Sequence, residues 1–591
     1  MLSRRAFLLL LLISNLSFSQ LSVRNDAYVF INDEVVFVED DINLGEADSS
    51  IYLRNEAQVV QGSGTSGNSG IGELSVYQEG NVGAYEYNYW CSPVGSKINN
   101  SVNNPFGVTF LNDSTGIITS TPANVGHFGY NGISSPLSIE AYWIWKFIAS
   151  DEYSEWIHVR GDTSINPGEG FSMKGTAGSG DAQRYDFRGK PNNGTISVSV
   201  LDDHFTLVGN PYPSAMDALE YIHDLENAAV ITGTLHFWEQ DPNVDSHNLR
   251  SYEGGYATYT INSAGTVETY TPATFSTYNL DGSINGAASS SPSGKRPRQH
   301  IPIGQGFMVE GTATGTVKAK NSHRVFIKET HADSEFFKHS NTKDKTSKSK
   351  KSENEFFKVP SDYKRFRINI DFNNSYTRQL VETFHNSTSF GFDYGMESNI
   401  NQSDILASDA HWLIDGKPYL AEALPYDLSL KIPLAIKLNK ESQIRIRIAD
   451  IQNFETDQPI YLHDIENNTF INLKAQDFNI NLEANNYTDR FEIVFDKNSL
   501  STPEINLDDL KVFQNNTISE LKISNPNSLN VKGFSLFDVA GKEVESKRFQ
   551  NNSKKAYTYS TKSLSDGVYI LQVNLDNNQV FKKKVIVSNK K

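Results

Sequence analysis

Two rows of aromatic residues are the part of this sequence best suited to recognition chemistry. Tyr85, Tyr87 and Tyr89 recur at every second position in Tyr85-Glu-Tyr-Asn-Tyr-Trp-Cys-Ser-Pro93. Trp143, Trp145 and Phe147 do the same in Ala141-Tyr-Trp-Ile-Trp-Lys-Phe147. Alternate residues of a strand share a face, so each row reads as a flat apolar surface. Exposed, such a surface stacks on sugar rings; buried, it is core, which aromatic residues mainly supply. Trp143 and Trp145 are the candidate glycan-stacking residues.

Other chemistry is sparse. Asp241, Asn243 and Asp245 space oxygen ligands two apart, as calcium loops do. The sixth position is Ser246 rather than Gly, and the twelfth is Tyr252 rather than Glu. Calcium at these three residues is the one cofactor the sequence suggests. No Gly-x-Ser-x-Gly elbow, His-Glu-x-x-His pair or Cys-x-x-Cys is present. The glycine-rich stretch 61–72 lacks the Lys-Ser/Thr ending of a phosphate-binding loop. Cys91 is the single cysteine, so no intrachain disulfide forms, and its aromatic strand makes it a buried small residue rather than a nucleophile. His236 and His247 read as turn and strand residues. A carboxylate pair for glycoside hydrolysis is a three-dimensional property that spacing does not reveal. The sequence thus names no catalytic residue, and the expectation is a protein that is not an enzyme.

These residues must be held by strands. Gly, Asn, Ser and Thr are abundant, aromatics make up 11%, and helical periodicity is rare, so the chain reads as all-β. The reading is multidomain: tandem sandwich- or jelly-roll-like units ending in an immunoglobulin-like sandwich. Short strands at 27–31, 34–38, 50–54 and 57–60 suit a β-roll or solenoid over 20–80. Gly168-Glu-Gly-Phe-Ser-Met-Lys-Gly-Thr-Ala177 corresponds to Gly304-Gln-Gly-Phe-Met-Val-Glu-Gly-Thr-Ala313, which divides 81–195 and 196–330 into two related units. A helix is expected over 215–227, capped by Ser214. Residues 331–360 read as a polar Lys/Ser-rich linker, and 361–500 as a β-sandwich. The net charge of −17 argues against nucleic acid as a partner.

The two ends carry an address. Arg4 and Arg5 precede an apolar run, and Ser19-Gln20 offers a cleavage point, so 1–19 reads as a signal peptide for the general secretory route. Near the other end stand Gly533-Phe-Ser-Leu-Phe-Asp-Val-Ala-Gly-Lys542, then Leu564-Ser-Asp-Gly-Val-Tyr-Ile-Leu-Gln-Val573, then Lys590 and Lys591. This ending, over 507–591, resembles the type A C-terminal sorting domain of the Bacteroidetes type IX secretion system. Gly533, Asp538, Gly541, Lys542, Gly567 and Tyr569 carry the resemblance. It implies recognition by the outer-membrane translocon, removal by a sortase-like peptidase, and attachment to surface lipopolysaccharide or release. The body in turn resembles uncharacterised secreted surface proteins. Tandem β units and an export tail without a catalytic motif favour adhesion or a structural role at the cell surface, with glycans or surface proteins as further partners. Carbohydrate binding or carbohydrate chemistry is the alternative the aromatic rows support.

Overall fold

The computed structural model describes residues 20–335, 357–497 and 510–589, apart from residues 65, 82, 128, 162–163, 181, 291, 293–294, 401–403, 526–528, 550–553 and 576–579. The expected signal peptide with Ser19, most of the expected polar linker, and Lys590 and Lys591 lie outside the described residues. Residues 1–497 form one compact unit and 498–591 another. The described chain is strand throughout, apart from short helical turns.

The first strands stack in parallel. Leu21 sits over Ile42, Tyr28 over Ser50, and Val35 over Gln58, and Ser50–Arg54 runs parallel to Glu73–Asn81 in turn. Ile31, Val38, Ile42, Leu44, Ile51 and Leu53 point into these coils and are buried. Asn and Asp turn the corners at Asn25, Asp26, Asp33 and Asn55, all at positive φ, which their short side chains tolerate best after glycine. The last coil strand, Glu73–Asn81, then pairs antiparallel with Ala182–Pro191, so the coil shares one sheet with the unit that follows it.

In that unit, Tyr87–Cys91 and Trp145–Lys146 flank Gly170–Lys174. In the next, Phe205–Gly209 and Ile231–Gln240 flank Gly306–Gly311. Both central strands are buried along their whole length, and each follows a glycine at positive φ, Gly168 at +83° and Gly304 at +76°. The two sheets meet at backbone contact. Cys91 N–H donates to Gly304 O at 2.9 Å, and a Cβ on Gly306 would come within 2.8 Å of Trp90 N. Cys91 is fully buried there, and burial pushes its thiol pKa up.

The expected helix starts late. Ala215–Asp217 is a strand pairing with Arg324–Val325, and the helix runs Ala218–Ile222, capped by Asp217 rather than Ser214. Ser214 Oγ instead accepts from the buried Arg324 at 3.2 Å. In the described ends of the polar linker, Ser334 (1% exposed) pairs with His300 and Val359 is buried, while His331, Ala332, Asp333 and Lys358 are exposed.

Residues 364–494 build a single eleven-stranded sheet around one core of Phe366, Ile368, Trp412, Leu434, Phe491 and their neighbours. On its opposite face Arg365 and Arg367 are wholly buried. They donate to Glu268 O, Thr269 Oγ1 and Tyr270 O, which ties this sheet to the preceding one. In the C-terminal unit a three-stranded and a four-stranded sheet enclose Leu521, Ile523, Phe534, Leu536, Leu571 and Val573. Gly567–Leu575 is central in the larger sheet. Asp538 Oδ1 accepts from the N–H groups of Ala540 and Lys542, and Gly541 takes a positive φ, which closes the turn of the sorting motif.

Candidate functional site

A cavity of about 900 Å³ lies between the sheet of Tyr87–Cys91 and Gly170–Lys174 and the sheet of Ile231–Gln240 and Gly306–Gly311. Strand alternation places its walls. Along Tyr87–Cys91, Tyr87 and Tyr89 face the cavity, while Trp90 points the other way into the core against Tyr185 at 5.4 Å. Along Ile231–Gln240, His236 and Trp238 face the same space, and Tyr256 stands directly across from Trp238 on the next strand. Trp145, Phe147 and Trp156 complete the near side, and Tyr278 and Met308 the far side.

The rings lock one another in place. Tyr89 stacks on Trp238 with centroids 6.3 Å apart and an interplanar angle of 18°, and Trp238 meets Tyr256 edge-on at 5.2 Å. The Tyr89 and Tyr256 hydroxyls are 2.8 Å apart, one hydrogen bond joining the two sheets across the cavity. Below them Leu207, Met308, Tyr89 and Phe147 form a buried floor. At the rim the 3₁₀ turn Tyr153–Glu155 presses Tyr153 against Gly282, where any side chain would collide with the ring.

The polar groups in this aromatic chamber share one character. Asp151, Glu152, Asp281 and Asp404 line it, and among the described residues neither lysine nor arginine does. Burial first, and the charge of Glu310 second, push Asp404 up to about 7 against the pull of Arg378. Asp404 in turn raises the phenols of Tyr89, Tyr256 and Tyr278, which line the same cavity. His236 is 3% exposed, its Nε2 has no partner, and burial lowers its pKa to about 4, which leaves the imidazole neutral. Trp238 Nε1 likewise has no partner.

The aromatic rows read from sequence divide at this point. Tyr87, Tyr89, Trp145 and Phe147 line the cavity, whereas Tyr85 and Trp143 stand outside its lining. The second row is not one strand, because Ala141–Trp143 is a 3₁₀ turn and only Trp145–Lys146 is extended. Glu140 caps that turn by accepting from Tyr142 N, which rotates Trp143 away from Trp145. Trp143 stacks on His247 (4.8 Å, 16°) and covers the Lys174 ammonium at 3.7 Å. Lys174 also lies against the Tyr87 and Tyr252 rings and bonds Tyr252 Oη and His247 Nδ1, and burial lowers it to about 6. Trp145 stacks on His158 at 4.2 Å and turns its other side to the cavity.

At the calcium candidate, Asp241 Oδ1 accepts from the backbone and side-chain nitrogens of Asn243, a self-contained turn. Asn243 and Asp245 are exposed. Among the described residues no group of three or more His, Cys, Asp or Glu side chains is placed to hold a metal. Trp156, Trp238, Tyr256, Tyr278 and Asp404 were not singled out by sequence. Trp238 and Tyr256 do alternate with apolar neighbours, but nothing local marks which face opens onto a cavity.

Comparison with known proteins gives the chain an address and a family. One solved structure is similar in part: the extracellular domain of the one-component system BT4673 from B. thetaiotaomicron, at 8% identity and a TM-score of 0.13, over 65% of this chain and 60% of that one. No curated protein matches. Residues 511–588 match the secretion system C-terminal sorting domain, so the protein is type IX cargo, secreted to the outer cell surface or the extracellular space. No helix among the described residues is long and apolar enough to cross a membrane. Over residues 11–495 the chain belongs to the family described as a domain of unknown function, DUF8693.

Proposed function

We propose that this secreted protein binds carbohydrate and that the aromatic cavity between its two repeat units is the binding site. One observation carries the reading: a chamber of about 900 Å³, walled by Tyr87, Tyr89, Trp145, Trp156, Trp238 and Tyr256, opens on a protein sent outside the cell. Ligand sites are concave and mostly apolar, with a few fixed polar groups, and volumes of this order hold a ligand of several rings. Flat ring faces meet the C–H faces of a sugar, and the carboxylates and the neutral His236 accept from its hydroxyls. Adhesion, the role the sequence favours, is the use such binding would serve at a cell surface.

The test is a glycan and polysaccharide panel with the secreted protein, scored for binding and for released product. Trp238→Ala should weaken binding of any hit at least tenfold while the fold survives. Undiminished binding by Trp238→Ala would move the site elsewhere, and product release would make the protein an enzyme.

A further inference from the structure

The carbohydrate reading leaves the ligand's charge open, and the cavity lining bears on it. Among the described residues of the lining the carboxyl and basic side chains that can carry charge at neutral pH are acids apart from the neutral His236: Asp151, Glu152 and Asp281, which are exposed, and Asp404. Asp404 is half-buried, and among the described residues no hydrogen-bond donor reaches its carboxylate. The neutral His236 offers a buried Nε2 without a partner. Lys174 adds no opposing charge to the lining, because it lies behind Tyr87 and Tyr252, capped by Tyr252 Oη and His247. The chamber therefore combines ring faces, which attract cations through their quadrupoles, with the Asp404 carboxyl, which no donor among the described residues reaches. An anionic sugar would meet repulsion from four carboxylates and find no cation to pair with. A neutral sugar would leave Asp404 desolvated with hydroxyl donors alone. A protonated amine on a sugar ring satisfies both features at once: its ring C–H face stacks, and its N–H donors pair with the carboxylate in a charge-assisted bond.

We propose that the cavity is selective for glycans bearing a free amine, as in unacetylated hexosamine units, with Asp404 as the counter-charge. This inference rests on the carbohydrate reading above. Asp404 lines the same cavity as Tyr89, Tyr256 and Tyr278 and raises their phenols, which supports it, because a carboxylate that disfavours phenolate favours a cation. Binding of that cation in turn favours ionisation of Asp404, whose carboxyl burial has pushed up to about 7.

The experiment is calorimetry on the full secreted protein with three oligosaccharide series of equal length: glucosamine, N-acetylglucosamine and glucose oligomers. Acetylation removes the charge and keeps the ring, so the first comparison needs no variant. The expected result is at least tenfold tighter binding of the glucosamine series, with Asp404→Asn losing that preference. Asp281→Asn at the exposed rim, measured alongside, should change the preference less than Asp404→Asn. Equal or tighter binding of the acetylated or neutral series overturns the amine selectivity and leaves carbohydrate binding standing. Binding of none of the three, with hits absent from the wider glycan panel, overturns both.

Discussion

At the residue scale the two tryptophans of the 141–147 stretch separate binding from folding. Trp145 presents a ring to the cavity and rests on His158, so Trp145→Ala should weaken ligand binding about tenfold with little loss of stability. Trp143 is 8% exposed, donates to Tyr130 O at 2.7 Å, stacks on His247 and covers Lys174. Truncating it opens a cavity beside a buried amine, a class of change that costs about 3–5 kcal/mol. Trp143→Ala should therefore lower the melting temperature well below that of Trp145→Ala. Equal melting of the two variants would refute this division. The same pair shows what was legible in sequence. Aromatic rows are visible because strand alternation has period two. That four of six members line a chamber is visible only once Glu140 turns the chain at Tyr142 and a second sheet supplies Trp238 and Tyr256 across the gap. Asp404 lies far along the chain in the third β region and joins by long-range packing that no local pattern encodes.

At the scale of elements, the parallel strands Tyr376–Phe384 and Lys417–Leu424 set Glu382 beside Glu422. Glu382 is fully buried, neither of its oxygens has a donor, and Glu422 Oε2 has none either. Two such carboxylates are compatible only if one is protonated and donates to the other. Burial, then the Glu422 charge, raises Glu382 well above the carboxylate range, and burial lifts Glu422 to about 7 and Glu397 to about 8. These groups hold protons in the folded state that the unfolded chain releases near pH 4.5. Stability is thus full below that pH and falls as pH rises toward 7–8, by about 1.4 kcal/mol per pH unit for each proton held. Thermal melting should drop between pH 5 and pH 8, and Glu382→Gln should flatten the drop and raise stability at pH 8. An unchanged pH profile in the variant would exclude the pair as its source. Much of the element pattern is legible in sequence: the short strands before residue 61 and the glycine-led segments at 168 and 304. The late start of the helix was not, because Ala215–Asp217 is claimed by pairing with Arg324–Val325, and tertiary pairing overrides local capping preference.

At the scale of the whole molecule, the chain is two self-sufficient cores with separate tasks. The core of residues 498–591 draws on its own two sheets, from Leu521 and Ile523 to Phe534, Leu571 and Val585. The body closes its last strand, Asn485–Val494, against Lys431–Leu438 and buries Phe495 before the boundary at Lys497. Cutting after Lys497 therefore removes no strand from the body. The composition marks the same division, since 14 Lys+Arg stand against 8 Asp+Glu from residue 506 onward in a chain whose net charge is −17, leaving the body the more acidic part. Because the sorting domain matched at 511–588 is the export address, a chain ending at Lys497 should fold but go astray. Its melting temperature should stay within about 2 °C of the body transition in the full protein, equivalent to less than about 1 kcal/mol. Its glycan affinity should be unchanged, and fractionation should find it in the periplasm. Surface delivery of the truncated chain would show a second export determinant in the body, and a large fall in melting temperature would show that the two cores are not independent.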